Sequence, residues 1–196
     1  LVGSEMCIRD RAMKMVAAAK MRKAQERMEQ ARPYTKRLVD VIHHLLPDVD
    51  RDLLPLLDIR PIQRVGYVVV TSDRGLAGSF NTNVVKKAES EINDIGKDNV
   101  DLFCIGKKAR DHFKRRNYNI EKSHIEFWND LEFSDALKIG EKIINHFVTK
   151  KVDEIHVCYN EFVNVATQSI QSEQLLPLEY NQEDNSSISV SYTHLT

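Results

Sequence analysis

A polar, glycine-containing segment, residues 71–83 (TSDRGLAGSFNTN), is the best local candidate for a binding site in this sequence. It follows a short apolar run and leads into an amphipathic stretch, and α/β folds bind anions at the carboxyl ends of their strands. Gly75 and Gly78 are, however, spaced GxxG rather than GxGxxG, and no GK[ST] follows them. As a nucleotide site, the segment therefore fails in detail.

The same segment can be interpreted as a strand-to-helix turn. A local pair of Asp73 with Arg74, together with a polar cap at Ser79 or Asn81, would suit such a turn. This interpretation explains the glycines, but it does not explain why so many polar groups cluster there.

Side chains that could bind a metal or attack a substrate do not occur at useful spacings. The seven histidines form no HxxxH or HExxH pattern, and none pairs with a cysteine at ligand spacing. Cys7, Cys104 and Cys158 form no CxxC pair, and the last two lie in apolar runs, which predicts buried, reduced thiols. Nothing resembles a nucleophile elbow or a Cys/His dyad. We therefore predict no catalytic residue, no cofactor and no metal.

Short apolar runs that alternate with amphipathic stretches predict an α/β domain over residues 62–180. The pattern indicates βαβ units in a Rossmann-like, mainly parallel sheet with flanking helices, and a final hairpin makes one edge antiparallel. Strands are predicted at residues 65–71, 100–105, 118–125, 152–159 and 162–171, and helices at 79–95, 107–116 and 134–150.

The last of these helices illustrates the expected packing. Ser134 is predicted to be its N-cap, and the residues predicted to face inward are Leu137, Ile143, Ile144 and Phe147. The domain core is expected to contain Val68, Val70, Leu102, Ile144 and Val157.

Residues 12–46 carry a heptad repeat of small and apolar residues, which predicts one long helix that forms half of a coiled coil. A helix of this length is not stable alone in water, so the repeat requires a partner helix. Pro33 lies inside the run, but the repeat keeps its phase across it, and we predict a kinked, continuous helix. The predicted seam positions are Ala17, Met21, Ala24, Met28, Ala31, Thr35, Leu38, Ile42 and Leu45.

The charge is distributed unevenly between these parts. The formal net charge of the 196 residues is −1, but residues 12–46 carry a net charge of +5 and residues 47–196 a net charge of −6. A basic helix joined to an acidic domain could face an acidic protein, a nucleic acid or an anionic membrane. No stretch approaches the roughly 18 apolar residues of a membrane span.

Two motifs resemble one family. Residues 12–25 (AMKMVAAAKMRKAQ) closely resemble the N-terminal helix of the ATP synthase gamma subunit family, and Arg32-Pro33-Tyr34 is similar to part of the same helix. Residues 71–83 resemble the hallmark loop of that family, with Ala77 where many members carry cysteine. The resemblance covers roughly residues 12–180 and implies a non-catalytic rotor shaft, in which an antiparallel coiled coil joins an α/β domain at its foot.

The resemblance also implies partners and a location. The partners would be the alpha and beta subunits of the catalytic head, the epsilon subunit and the membrane c-ring, with no nucleic acid and no direct membrane span. The chain would then be peripheral on the cytoplasmic face of a bacterial plasma membrane, as part of a proton-transporting ATP synthase. The residues expected to contact the catalytic ring are Met13, Lys14, Val16, Lys20, Arg22 and Arg27, and those expected to shape the foot domain are Asp73, Arg74, Gly75, Leu76 and Gly78.

The same resemblance predicts that this chain is a fragment without the family's extreme N-terminus and its long C-terminal helix. That helix would be the partner that the heptads require. Residues 1–11 and 181–196 are predicted to be non-native flanks, and residues 47–61 a proline-punctuated connector.

Two other function classes stay open on the residues alone. A nucleic-acid or membrane-surface module built on the basic helix predicts binding that falls steeply with salt, although the acidic domain argues against it. A nucleotide-dependent enzyme at Gly75–Gly78 predicts that the isolated domain binds nucleotide.

Overall fold

The computed structural model describes residues 2–45, 54–75, 78–126, 132–164 and 167–178, and of residues 2–10 and 43 it describes the backbone alone. The chain divides into two compact units, Leu1–Val49 and Asp50–Thr196. Among the described residues, the first unit contains helix α1 and the second contains a sheet with flanking helices.

Helix α1 runs without interruption from Val2 to Leu45 and contains Pro33. Its 44 residues span about 66 Å at a rise of 1.5 Å per residue. The predicted continuity across Pro33 is confirmed, but the helix begins ten residues before the predicted start at Ala12. Proline removes one backbone donor from a helix interior, and α1 nevertheless continues on both sides of Pro33. Two turns of α1 have additional side-chain bonds, because the Thr35 hydroxyl donates to Ala31 O at 3.2 Å and His44 Nδ1 lies 2.9 Å from Asp40 O.

The second unit is built on a five-stranded sheet in the order β3-β2-β1-β4-β5. All neighbouring strands are parallel except β4 and β5, which form the antiparallel edge. The predicted Rossmann-like, mainly parallel sheet with flanking helices is therefore confirmed. The strands are β1 Val65–Val70, β2 Val100–Ile105, β3 Ile120–His124, β4 Glu154–Phe162 and β5 Gln168–Leu176. The helices are α2 Phe80–Ile95, α3 Lys107–Arg115 and α4 Phe133–Val148.

The helices cover opposite faces of the sheet because alternate side chains of each strand point to opposite sides. Helices α2 and α3 pack on the face that carries Tyr67, Leu102 and Cys158. Helix α4 packs on the other face, against Val68 and Phe103.

Arg60 connects the segment before β1 to the carboxyl end of α4. Its Nη2 donates to Phe147 O at 2.7 Å and to Val152 O at 2.8 Å, and its guanidinium lies 4.3 Å above the Phe147 ring. A cation is favourable at this position because the last carbonyls of a helix carry partial negative charge.

Helix α4 differs from the prediction at its start and on one side. Its N-cap is Glu132 rather than Ser134, and Glu132 N donates to Asp135 Oδ2 at 3.1 Å. Ile143 and Phe147 are buried as predicted, but Leu137 is 49% exposed and Ile144 is 39% exposed. Residues four apart lie on one helical face, whereas Leu137 and Ile144 lie on the adjoining face, which extends past the edge of the sheet contact.

Two further details correct the sequence prediction. Of the predicted core, Val68 and Leu102 are buried and Val70 and Val157 are partly buried against it, whereas Ile144 is not. The hairpin is present, but its second strand lies at Gln168–Leu176 rather than at 162–171, because β4 continues to Phe162.

Candidate functional site

The seam of α1 lies open along the helix. All nine predicted seam residues are exposed except Met28, which is half-buried, and Leu45 reaches 58% exposure. Apolar side chains in this periodic arrangement are the hallmark of a surface that packs against another helix. A strict seven-residue repeat drifts by about 20° per heptad on a straight helix, so a partner would have to follow the seam as a supercoil.

The six residues predicted to contact a catalytic ring are exposed and do not form one patch. Met13 and Arg22 are nine residues apart, which at about 100° per residue places them on opposite sides of α1. Met13 is 63% exposed, and the four basic members are exposed as well. Met13, Val16, Lys20 and Arg27 lie within about 60° of one another on one face of α1, whereas Lys14 and Arg22 lie on other sides of the helix.

The loop after β1 uses its polar groups to hold four elements together at the carboxyl edge of the sheet. Asp73 Oδ1 accepts a hydrogen bond from Lys107 N at 2.7 Å, and Asp73 Oδ2 accepts one from Glu126 N at 2.7 Å. One carboxylate thus joins the first residue of α3 to the segment after β3. Acceptance at Lys107 N is favourable because the first amides of a helix lack intrahelical partners.

A second set of bonds fixes the start of α2. Asn81 Oδ1 accepts from Ser72 N at 2.9 Å, and the Ser72 hydroxyl donates to Arg74 O at 2.8 Å. Ser79 is the N-cap residue, but its side chain makes no capping bond, so of the two alternatives predicted for a polar cap, Ser79 or Asn81, the first is wrong. Asn160 of β4 donates to Phe80 O at 2.9 Å. The crowding of polar residues in the loop has a structural explanation, since these side chains bond to backbone groups between elements.

Gly106, which the sequence analysis did not select, is the tightest point of this edge. A Cβ atom on Gly106 would lie 2.0 Å from Thr71 O, and its φ is +105°. Thr71 N donates to Ile105 O at 2.7 Å, and its hydroxyl accepts from Ala109 N at 2.9 Å. The sequence signal that could have identified Gly106 is its position directly after β2, because the segments that follow parallel strands meet at one edge of the sheet.

The remaining members of the predicted loop set are placed as follows. Gly78 has a φ of +56°, and a Cβ atom on Gly75 would lie 3.2 Å from Lys108 Nζ. Leu76 lies outside the described residues.

Both described cysteines are buried thiols of low reactivity. Cys104 and Cys158 are buried and unpaired by disulfide, as predicted, and burial raises the pKa of Cys104 to about 12 and that of Cys158 to about 11. A thiol of such high pKa carries almost no thiolate near neutral pH, so neither side chain has the character of a nucleophile.

Two absences apply to the part of the chain that the structure describes. No group of three or more His, Cys, Asp or Glu side chains is arranged there to hold a metal ion. Within the same residues, no helix combines the length and the hydropathy that crossing a membrane requires.

Comparison with known proteins identifies the family. The family model described as ATP synthase matches residues 10–195. The ATP synthase gamma chain of Desulforamulus reducens is 39% identical over 182 residues, covering 93% of this chain and 64% of the relative. That of Heliobacterium modesticaldum is 44% identical over 168 residues, covering 86% and 57% respectively. The chain thus spans about three fifths of the length of the curated relatives it matches.

A solved structure supports the fold. A chain from the cryo-EM structure of the Tetrahymena thermophila mitochondrial ATP synthase central stalk and c-ring has a TM-score of 0.69 and 23% sequence identity, covering 85% of this chain and 71% of that one. At this identity, the likeness concerns the fold. Together with the family model and the gamma-chain relatives, it means that the chain belongs to the ATP synthase family, among its gamma chains.

Proposed function

We propose that this chain is part of a non-catalytic rotor shaft, the gamma subunit of a proton-transporting rotary ATP synthase. The shaft would couple ion flow through a membrane ring to ATP synthesis in the catalytic head. The observation that carries the proposal is α1, a single 44-residue helix with an exposed apolar seam and a basic surface, in a chain of the gamma-chain family.

The proposed partners follow from this role. Alpha and beta subunits would surround α1 and contact the six residues named above, while the epsilon subunit and the c-ring would contact the α/β unit. An asymmetric shaft makes different contacts with each catalytic subunit as it turns, and these differential contacts shift the nucleotide affinities in sequence. Within this complex, the chain would be peripheral on the cytoplasmic face of a bacterial plasma membrane.

The proposed partner of the seam is an antiparallel helix that lies C-terminal to the α/β unit in the full-length protein. Three alanines, Ala17, Ala24 and Ala31, permit close approach of the two backbones, whereas Leu38 and Leu45 require a wider gap. The shaft would therefore be narrowest towards its N-terminal end, which is the end proposed to turn inside the catalytic ring.

A chimeric subunit tests the proposal. Residues 12–178 would replace the matching segment of the Heliobacterium modesticaldum gamma chain, and ATP-driven proton pumping would be measured in reconstituted vesicles. Coupled pumping is the expected result. A chimera that assembles with the catalytic head but pumps no protons would contradict the proposed role.

Ala24→Leu in the same chimera tests the seam. Leucine at this position should overpack the coiled coil, destabilise the subunit by about 1–3 kcal/mol and impair coupling. The matched control is Ala18→Leu, since Ala18 is exposed on α1 outside the seam. Equal stability and coupling of the Ala24→Leu and parent chimeras would make the seam assignment wrong.

The isolated chain should hydrolyse no ATP. The protein itself uses both carboxylate oxygens of Asp73 and the first amide of α3, and the loop has no phosphate-binding motif. Turnover that persists through purification and is lost in Asp73→Asn would overturn the non-catalytic assignment.

A further inference from the structure

A basic cleft beside edge strand β3 has no role in the proposed shaft function. It is an open concavity of about 680 Å³. Its walls come from residues directly before β1, β2 and β3 and from one side of α3. The amino ends of parallel strands meet at one edge of a sheet, so the cleft lies at the edge opposite the loop of Asp73.

Four cationic side chains line this cleft, and only one carboxylate does. The cations come from separate elements and are Arg64, Lys97, Arg110 and Lys114, whereas the carboxylate is Asp98. The neutral part of the lining includes hydrogen-bonding groups of Asn117, Asn119 and Ser123. Counted with Asp98 and with Asp101 and Asp111, which pair with two of these cations, the four cations leave a net charge of +1 here, whereas the unit that carries the cleft is acidic overall.

Three of the cations are held in place by neighbouring groups. Arg64 Nη2 lies 2.7 Å from Asp101 Oδ1, and Arg110 Nη2 lies 2.6 Å from Asp111 Oδ1. Lys97 Nζ donates to Arg116 O at 2.7 Å. Each guanidinium carries five donors, and the bonds to these aspartates use only Nε and Nη2. Preorganised cations lose little conformational entropy when they meet an anion.

Lys114 is the most available of the four. It is exposed, and its ammonium group has neither a hydrogen bond nor an ion pair within the described residues. It lies one turn after Arg110 on α3, where like charges repel. The negative carboxyl end of α3 favours a cation at Lys114, but it does not account for Arg64 and Lys97, which belong to other elements.

We propose that this cleft binds phosphate groups of an oligoanionic ligand. Guanidinium and ammonium groups are the side chains that bind phosphate oxygens most strongly, and the amide and hydroxyl groups of the lining supply further donors. The phosphates could belong to a soluble oligophosphate or to phospholipid headgroups, and the test distinguishes these two sources.

The full chain, labelled with ¹⁵N, is titrated with sodium tripolyphosphate and, separately, with vesicles of phosphatidylcholine that contain phosphatidylglycerol. Saturable shifts of the Asn117, Asn119 and Ser123 amides with tripolyphosphate would assign a soluble ligand. Broadening of these amides with the anionic vesicles alone would assign headgroups. Because α1 is also basic, its amides report nonspecific attraction within the same experiment. Changes confined to α1, or no changes at all, would overturn the proposal.

Variants make the assignment specific to the cleft. Arg110→Gln combined with Lys114→Gln should weaken tripolyphosphate binding about tenfold or more. The exposed Lys114→Glu change serves as a second variant if the double substitution unfolds the chain. Lys86→Gln, an exposed lysine of α2 outside the cleft, should leave the affinity within about twofold. Equal weakening in Lys86→Gln and the double variant would also overturn the proposal.

Discussion

Helix α1 and the α/β unit use apolar side chains in opposite ways. The α/β unit buries Tyr67, Phe103, Phe113 and Phe147 almost completely, and its sheet receives helices on both faces. In α1, every side chain described is exposed or half-buried. The α/β unit thus contains its own driving force for folding, whereas α1 carries a surface that gains stability only by contact with another helix.

Amide exchange should show the largest difference between the two regions. Central strands β1 and β2 should exchange only through global unfolding, which for domains of this size costs about 5–15 kcal/mol. In the isolated chain, amides of α1 between residues 12 and 45 should exchange through local fraying at a small fraction of that cost. Hydrogen–deuterium exchange with mass spectrometry measures both. Equal protection of α1 and the sheet would mean that α1 has found a partner, for example by self-association.

Substitution of two glycines tests how tightly the α/β unit packs at single positions. Gly106→Ala would place Cβ 2.0 Å from Thr71 O at a φ of +105°, and we expect a loss of about 3 kcal/mol or more in the free energy of unfolding. Gly140→Ala is the matched control, because, apart from its chain neighbours and the adjacent backbone of α4, no atom lies within 4 Å of its Cβ position. It should stabilise the chain by about 0.5–1 kcal/mol. Urea denaturation measures both, and comparable effects of the two changes would contradict the packing described at the edge of the sheet.

The structure could be predicted from the sequence as far as local periodicity determines it. Alternation of apolar runs with amphipathic stretches depends on local periodicity, so β1, β2, α2 and the continuity of α1 through Pro33 were predictable. The exposed side of α4 was not, because Leu137 and Ile144 satisfy the helical period as well as Ile143 does. Only the width of the sheet beneath the helix decides which of them is covered.

For the loop of residues 71–83, the sequence predicts the position but not the long-range contacts. Its place after β1 was predictable, and so was its wealth of polar groups. The partners of Asp73 were not, since Lys107 and Glu126 are 34 and 53 residues away in the chain. The place of Gly106 directly after β2 was predictable too, but its close contact was not, because that contact is with the carbonyl of Thr71 on the neighbouring strand end.

Asp73→Ala should have an intermediate effect. The change removes the acceptor of two charge-assisted bonds, to Lys107 N and Glu126 N, and we expect a loss of about 2–3 kcal/mol in the free energy of unfolding. Asp98→Ala, an exposed aspartate before β2, should change stability by no more than about 0.5 kcal/mol. Thermal and urea unfolding of the two variants would decide the matter, and an unchanged Asp73→Ala protein would exclude the bridging role of this carboxylate.

Replacement of His124 should have the smallest effect on stability, and this effect in the α/β unit should depend on pH. Burial at the end of β3, reinforced by Lys142 and Lys122, lowers the pKa of His124 below its usual value of 6.5. At pH values between the lowered pKa and 6.5, the unfolded chain therefore binds more protons than the folded chain. The contribution of neutral His124 to stability is complete above pH 6.5 and is lost as the pH falls through the lowered pKa.

The test is the difference in unfolding free energy between parent and His124→Gln from pH 7.5 to pH 5. The parent should lose stability relative to the variant as the pH falls. His44→Gln is the control for replacing a histidine, because His44 is exposed on α1. Parallel profiles for parent and His124→Gln would mean that the ring of His124 is as accessible to protons in the folded chain as in the unfolded one. The α/β unit would then be more open at β3 than its packing indicates, and its contrast with α1 would be smaller at that edge.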